Sequence, residues 1–297
     1  MADRPVEPAS VAYIVAGGGL LPLKCDMASM SHPLFALRAG DKRVRAYNHN
    51  GVTVTVLPGA TGCATIHDKD LWIYCISEMV EAKNLGRAIE RTIRFTAYDF
   101  LRATGRGASG RAYERMAGML ARLSGTRVET NIETDGRRER AGFGLVDSWS
   151  VVAEAPDSER MVAVEVTLPD WLYRSVDALR VLTLSRDYFR LRAPLDRRIY
   201  ELVRKHCGYQ PRWRVTLGVL HLKSGSTGAI REFRRQIKLM ARAKTLLDYR
   251  MIYDVAADAA TFYAVGRRTN RAARLAMVAD TLPRIRAGVP VDNFVGL

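Results

Sequence analysis

Residues 216–247 read TLGVLHLKSGSTGAIREFRRQIKLMARAKTLL, and residues 96–127 read TAYDFLRATGRGASGRAYERMAGMLARLSGTR. The two stretches align without a gap at an offset of 120, which carries Gly105 onto Gly225, Arg111 onto Arg231, Tyr113 onto Phe233, Arg115 onto Arg235 and Leu120 onto Met240. Few positions are identical, yet the apolar and basic ones keep step. Upstream, DLWIY from Asp70 matches DRRIY from Asp196 at an offset of 126, so the copies differ there by a loop length. Each copy reads as helix, short helix, glycine-marked turn, long helix and two alternating strands, the order of a winged helix. The expected fold is α+β and helix-rich, with two tandem winged-helix domains related by internal duplication. Double-stranded DNA is the leading expected partner.

A chain of 297 residues with 48% hydrophobic content is long enough for two ordinary cores. Its formal net charge of +15 draws polyanions, nucleic acid or an anionic membrane surface. No apolar run reaches the roughly 18 residues of a membrane span, so no membrane partner is expected. The opening MADRPVEPASVAYIVAGGGLLPLK lacks a basic segment ahead of its weak apolar stretch, which argues against a secretory signal. A cytoplasmic, nucleoid- or plasmid-associated location is expected. Arginine outnumbers lysine 38 to 8, which suits planar recognition of phosphate and guanine and also fits a GC-rich coding sequence.

Along the chain, residues 1–40 carry Gly, Pro and Ala without periodicity and read as a flexible N-terminal arm. Residues 41–180 are expected to form the first winged-helix domain, a site of dimerisation and DNA-backbone contacts. In it VTVTVLPG alternates as a strand, and IHDKDLWIYCISEMVEAKN has helical spacing. Ser109 is the expected N-cap of a helix reaching Leu123, and Asp135-Gly136 marks a hairpin whose tip carries Arg137, Arg138 and Arg140, a basic wing. Residues 181–266 are expected to form the second domain and the main DNA reader. Its first helix lies in PLDRRIYELVRKHCG, its long helix spans about 229–244, and MIYDVAA and TFYAVG form its wing. Residues 267–297 read as a basic, proline-broken tail, peripheral to the core.

On a helical wheel Arg231, Arg234, Arg235, Lys238 and Arg242 fall within an arc of about 100°, opposite Ile230, Phe233, Ile237, Met240 and Ala241. From Gly225 to Arg250 there are seven basic and two acidic residues, 7 − 2 = +5. A solvated face is the bland account of such a stripe. On the second helix of a helix-turn-helix in a basic chain, the stripe points to DNA, where arginine to guanine in the major groove is the commonest specific contact. The first copy keeps Arg111, Arg115 and Arg122 but has Glu114 and Gly118 where the second has Arg234 and Lys238, so it is expected to read DNA less well. Arg111, Arg115, Arg122, Arg137, Arg138 and Arg140 are secondary DNA-binding candidates.

Catalysis finds no footing. GRGASG from Gly105 satisfies G-x-G-x-x-G but follows a helix rather than a strand, and it reads as a turn. There is no P-loop sequence, and His32, His49, His67, His206 and His221 include no pair spaced for metal-assisted strand nicking. Cys25, Cys63, Cys75 and Cys207 contain no C-x-x-C pair; Cys63 with His67 and His206 with Cys207 are the only mixed clusters, and a metal site would need both. No enzyme activity, cofactor or metal is expected.

GCATIHDKDLWIYCIS from Gly62, FTAYDFLRATGRGASGRAYERMAGMLARLSGTRVETNI from Phe95, LPDWLYRSV from Leu168 and VLTLSRDYFRLRAPLDRRIYELVRKHCG from Val181 resemble the replication initiator protein A family of bacterial plasmids. The resemblance covers about residues 40–265. It implies an initiator of theta-type plasmid replication that binds repeated origin sites, promotes opening of an adjacent AT-rich segment, and brings in the host replication initiator and replicative helicase. It also implies dimerisation through the first domain, copy control and repression of the protein's own promoter. The rival readings are an operator-binding transcriptional repressor without replication activity and a nicking initiator of rolling-circle type.

Overall fold

The computed structural model describes residues 21–295 apart from 134, 135, 137, 154–160, 209, 266–269 and 290–293. The described residues open with β1 (Lys24–Asp26) and α1 (Met27–Ser31), where the Asp26 carboxylate caps the helix by accepting from Ser29 N at 2.7 Å. There follow β2 (Arg45–His49), β3 (Val52–Leu57), α2 (Asp70–Asn84), β4 (Thr92–Phe95), α3 (Ala97–Ala103) and α4 (Gly110–Gly125). Next come β5 (Arg127–Thr130), β6 (Ala141–Gly144), β7 (Ser148–Ala153), β8 (Met161–Thr167) and α5 (Asp170–Asp177). The second half holds β9 (Val181–Thr183), α6 (Pro194–Cys207), β10 (Arg212–Thr216), α7 (Leu217–Ser224) and α8 (Ile230–Ala243). It ends with β11 (Tyr249–Asp254), β12 (Ala259–Ala264), α9 (Asn270–Arg286) and β13 (Phe294–Val295).

Helix and sheet are mixed throughout, and the two halves share one topology at their centres. In the second half the sheet order is β10-β12-β11-β13, so the strand before the helix pair α7–α8 joins the hairpin that follows it. In the first half the matching three-stranded sheet is β4-β8-β7. The hairpin corresponding to β11–β12 is therefore β7–β8, not the β5–β6 pair that the Asp135-Gly136 signal marked. Strands β5 and β6 belong instead to a four-stranded sheet with β2 and β3, where Val56 stands opposite Val128. The residues between β7 and β8 with sequence EAPDSER, 154–160, lie outside the described residues, as does Arg137. A basic wing beside the first half's helix pair thus fails on topology: Arg138 and Arg140 lie in the connection between β5 and β6.

The segment expected to be a flexible arm is built into both cores from residue 24 onward. β1 pairs with β9, and Cys25 and Met30 are buried in the second core with Ile199, Leu220 and Phe262. A few residues on, Leu34 and Phe35 are buried in the first core, where the Phe35 ring meets the Trp72 edge at 5.2 Å. Helix α2 is buried on almost every side, which explains an apolar pattern that wraps around the helix instead of forming a stripe. The tail is equally structured. β11 and β12 are apolar on both faces because α9 covers the outer one, packing Ala273 on Ile252 and Tyr263. Hydrogen bonds from Arg284 to Asp254 and from Tyr263 to Asp280 fasten it.

The two turns that aligned in sequence adopt the left-handed conformation that glycine enters at least cost: Gly105 after α3 has φ +65° and Gly225 after α7 has φ +68°. Their surroundings differ. Space around Gly105 is open, whereas a Cβ on Gly225 would stand 2.6 Å from Pro33 Cβ, in the segment that links the two cores. Gly105→Ala is expected to cost about 1–2 kcal/mol from the backbone alone, and Gly225→Ala about 2–4 kcal/mol because an overpacked contact is added. Urea denaturation of the two variants measures the difference, and equal losses would show that Pro33 does not press on this turn.

Candidate nucleic-acid interface

Helix α8 packs on the second core through Phe233, Ile237, Met240 and Ala241, all buried, while Ile230 at its first turn is exposed. The opposite face carries the five basic residues singled out by the sequence, and their surroundings sort them into two sets. Arg234 and Lys238 lie at one edge and are engaged within the fold. Arg234 makes a two-pronged bond to Asp258, with Nε at 3.0 Å and Nη2 at 2.9 Å. Asp258 occupies the turn between β11 and β12 with φ +45° and also accepts from Tyr253 Oη at 2.5 Å. The Arg234 guanidinium, ahead of the Tyr253 hydroxyl, holds the Asp258 carboxyl below the usual carboxylate range. Lys238 Nζ lies 5.6 Å from the Tyr253 ring centroid. These two side chains tie α8 to its hairpin and leave it only partly accessible.

Arg231, Arg235 and Arg242 form the second set and point to solvent. At 100° per residue they fall within an arc of about 40°. Arg231 and Arg242 have no side-chain hydrogen bond or ion pair among the described residues. Arg235 is 62% exposed and shares the Glu232 carboxylate with Gln236, at 2.6 and 2.9 Å from Arg235 and 3.2 Å from Gln236. A surface pair of this kind is worth at most about 1 kcal/mol and gives way readily to a phosphate or a base.

The first-half candidates divide in the same way. Arg111 and Arg115 are exposed on α4 without side-chain partners among the described residues. Arg122 faces inward: Nε and Nη2 reach Asp68 at 2.9 and 2.7 Å, and the Asp68 carboxylate also accepts from Thr65 N and Oγ1 in the turn before α2. Those bonds raise the Arg122 guanidinium above its ordinary range. Arg122 is thus engaged within the fold and is not presented to solvent as Arg111 and Arg115 are. Arg138 Nη2 donates to Gly51 O at 2.5 Å, and Arg140 pairs loosely with Glu129 at 3.3 Å. Both lie in the connection between β5 and β6.

One basic residue escaped the sequence reading. Arg43, held by Asp41 at 2.8 Å, donates from Nη2 to Thr227 Oγ1 at 2.8 Å in the turn that leads into α8. The two residues are 184 positions apart, and no periodicity or motif joins them.

The mixed Cys/His pairs are packed apart from each other's chemistry. Burial raises the Cys63 thiol above its ordinary range, and the Cys207 thiol donates to Gln210 O at 3.1 Å. His206 stacks on Trp213 at 4.7 Å, and burial lowers its imidazole to about 4. Among the described residues no group of three or more His, Cys, Asp or Glu is placed to hold a metal, and no helix is long and apolar enough to cross a membrane.

Residues 24–251 match the family profile described as "Replication initiator protein A". A protein of Wigglesworthia glossinidia brevipalpis named "Putative replication protein" is 41% identical over 239 residues, covering 80% of this chain and 87% of that one. The chain belongs to the replication initiator protein A family. Among solved structures, domains 2 and 3 of RctB share its fold. One crystal structure of that pair gives a TM-score of 0.55 at 10% identity, over 77% of this chain and 93% of that one. Another gives 0.52 at 10% identity, over 80% and 96%.

The division between inward and outward arginines has a direct consequence for stability. Arg122→Ala leaves the Asp68 carboxylate buried with one partner fewer and is expected to cost about 2–4 kcal/mol. Arg231→Ala removes an exposed, unpaired side chain and should stay within about 0.5 kcal/mol of the parent. Chemical denaturation of both variants checks this ranking, and a reversed order would overturn the assignment of inward and outward faces.

Proposed function

We propose that this initiator-family chain binds duplex DNA sequence-specifically at repeated origin sites and initiates theta-type plasmid replication. In this reading each half acts as a winged helix, the pair arose by internal duplication, and α8 enters the major groove as the principal reader. The observation that carries the reading is the narrow face of Arg231, Arg235 and Arg242 on α8, presented to solvent by a chain of net charge +15. Arg234 and Lys238 serve that reader by bracing it against the β11–β12 hairpin. Arg111 and Arg115 on α4 contact backbone phosphate. Origin opening and the entry of the host replication initiator and replicative helicase follow binding. No step requires catalysis, a cofactor or a metal supplied by this chain.

The test has two parts. Footprinting on origin direct repeats compares the parent with Arg231→Ala, Arg235→Ala and Arg242→Ala. A base-contacting arginine is expected to cost about 1–3 kcal/mol and relax specificity at one position, while a phosphate-contacting one weakens all duplexes alike and lowers the salt slope by about 1. The gene is also supplied in trans to an origin fragment bearing direct repeats. Maintenance of that fragment by the parent and its loss with the triple variant are the expected results. Undiminished site affinity in the triple variant would remove α8 as the reader, and binding without maintenance would favour a repressor.

A further inference from the structure

A cavity opens at the turn between α3 and α4, where the GRGASG sequence lies, and its wall comes from both halves of the chain. Arg106 and Arg115 come from the first half and Arg192 and Arg197 from the second, with Asp70 between them. Two of the four guanidiniums are fixed. Arg197, buried, donates to Asp70 Oδ1 at 2.5 Å and to Leu191 O at 2.7 Å, and Arg106 donates to Asp70 Oδ2 at 2.8 Å and to His67 O at 2.7 Å. Both Asp70 oxygens are thereby engaged. Arg115 and Arg192 line the same cavity, are exposed, and have no side-chain hydrogen bond or ion pair among the described residues. Four positive groups against one carboxylate leave the cavity at 4 − 1 = +3. Gly105 and Gly107 form part of its wall, with nothing within 4 Å of where a Cβ would stand, so a ligand has free approach to the backbone there. His67, also in the wall, is lowered to about 4 by burial, then by Arg197 and Arg106.

The second half offers an internal comparison. FALRA at 35–39 and FRLRA at 189–193 agree at four of five positions, and Arg38 of the first and Arg192 of the second each line the helix-pair turn of the other half. Arg192 reaches the α3–α4 turn, and Arg38 reaches the α7–α8 turn beside Gly225. There, however, Arg38 and Arg45 face Asp41 and Glu232, a balance of 2 − 2 = 0. The two cavities are alike in construction and differ in charge, one cationic and one balanced.

We infer that the α3–α4 cavity is a phosphate-binding site assembled across the two halves, with Arg115 and Arg192 as the groups that close on the anion and Arg106 and Arg197 as its fixed wall. The phosphate belongs either to a DNA backbone, in which case the site rests on the function proposed above, or to a free phosphate-bearing molecule. An arginine fork suits both, because it presents two parallel N–H donors to phosphate oxygens.

The full chain is compared with Arg115→Gln/Arg192→Gln and with a charge-matched control, Arg87→Gln/Arg180→Gln, beyond the far end of α2. Thermal unfolding is followed in inorganic phosphate against chloride of equal ionic strength, and duplex affinity is measured over a range of salt. Phosphate is expected to raise the midpoint of the parent and the control but not of the cavity variant. If the phosphate is DNA's, the cavity variant also loses about 1 from the salt slope; loss of the thermal effect with an unchanged slope assigns the site to a free phosphate compound. A cavity variant indistinguishable from the control in both measurements would overturn the inference. A parent that binds no duplex would instead overturn the proposed function, leaving the thermal comparison to decide the cavity.

Discussion

Five charged side chains pair out of water where the two halves join, and the geometry of everything else depends on that pairing. Lys69, Asp70, Arg197, Arg198 and Glu201 are each no more than 2% exposed. Lys69 Nζ reaches Glu201 Oε2 at 2.8 Å, and Tyr188 Oη donates to the other carboxylate oxygen at 2.7 Å. Arg198 donates to Ser29 O at 2.8 Å and to Lys223 O at 2.8 Å, so one guanidinium holds the N-terminal segment against the end of α7. Isolated, any of these charges would cost several kcal/mol to bury, and removing one partner from such a set typically costs about 3–5 kcal/mol. Pairing is thus obligatory, and it is directional. At the start of α2, Lys69 bonds Glu201 of α6 and Asp70 bonds Arg197 of α6 as well as Arg106 at the α3–α4 turn, which sets where α2 stands relative to α6. The helix pairs α3–α4 and α7–α8 inherit that placement.

The same chemistry explains an ambiguity in the composition. An arginine-rich chain can owe its bias to coding sequence or to use, and here many arginines are used inside the fold. Arg122 on Asp68 and Arg234 on Asp258 are two-pronged bonds that a lysine could not reproduce. Arg197 and Arg198 each span several backbone carbonyls as well as a carboxylate. Aspartates such as Asp68, Asp70 and Asp254 are taken up by these interior or hairpin arginines. Exposed arginines remain on outer faces, among them Arg231, Arg235 and Arg242 of α8.

What the sequence made legible follows from what is local. The offset of 120 placed both helix pairs correctly because helix periodicity and the left-handed glycine at the turn are properties of neighbouring residues. The hairpin beside the first half's helix pair was misplaced because Asp135-Gly136 reports that the chain reverses, not which strands it then joins. β5 finds its partner in β3, about 75 residues upstream, and β8 finds one in β4. The N-terminal segment looked structureless for a related reason: Cys25, Met30, Leu34 and Phe35 serve two cores in turn, so no single face and no single period describes them. The α8 stripe was legible as an arc, yet its division into bracing and exposed residues required Asp258 and Tyr253, which lie on a later hairpin. The cationic cavity was invisible, since half of its arginines come from a segment some 80 residues away.

The two halves differ along one physical axis, the placement of carboxylates. On α8 the outward arginines are opposed only by Glu232, which sits at the first turn and pairs along the helix, leaving the rest of the face free for an anion or a base edge. On α4 the outer face carries Glu114, and Gly118 stands where Lys238 stands in the other copy, so the face is thinner in positive charge. At the helix-pair turns the order reverses: acidic residues neutralise the cavity beside Gly225, whereas the one beside Gly105 keeps an excess of three positive charges. A face able to present several guanidiniums along a groove suits reading, and a recess that concentrates them on one point suits holding a single phosphate. In the proposed binding mode the second half supplies sequence discrimination and the first supplies register. The buried pairs between α2 and α6 are what make those two contributions act on the same stretch of duplex.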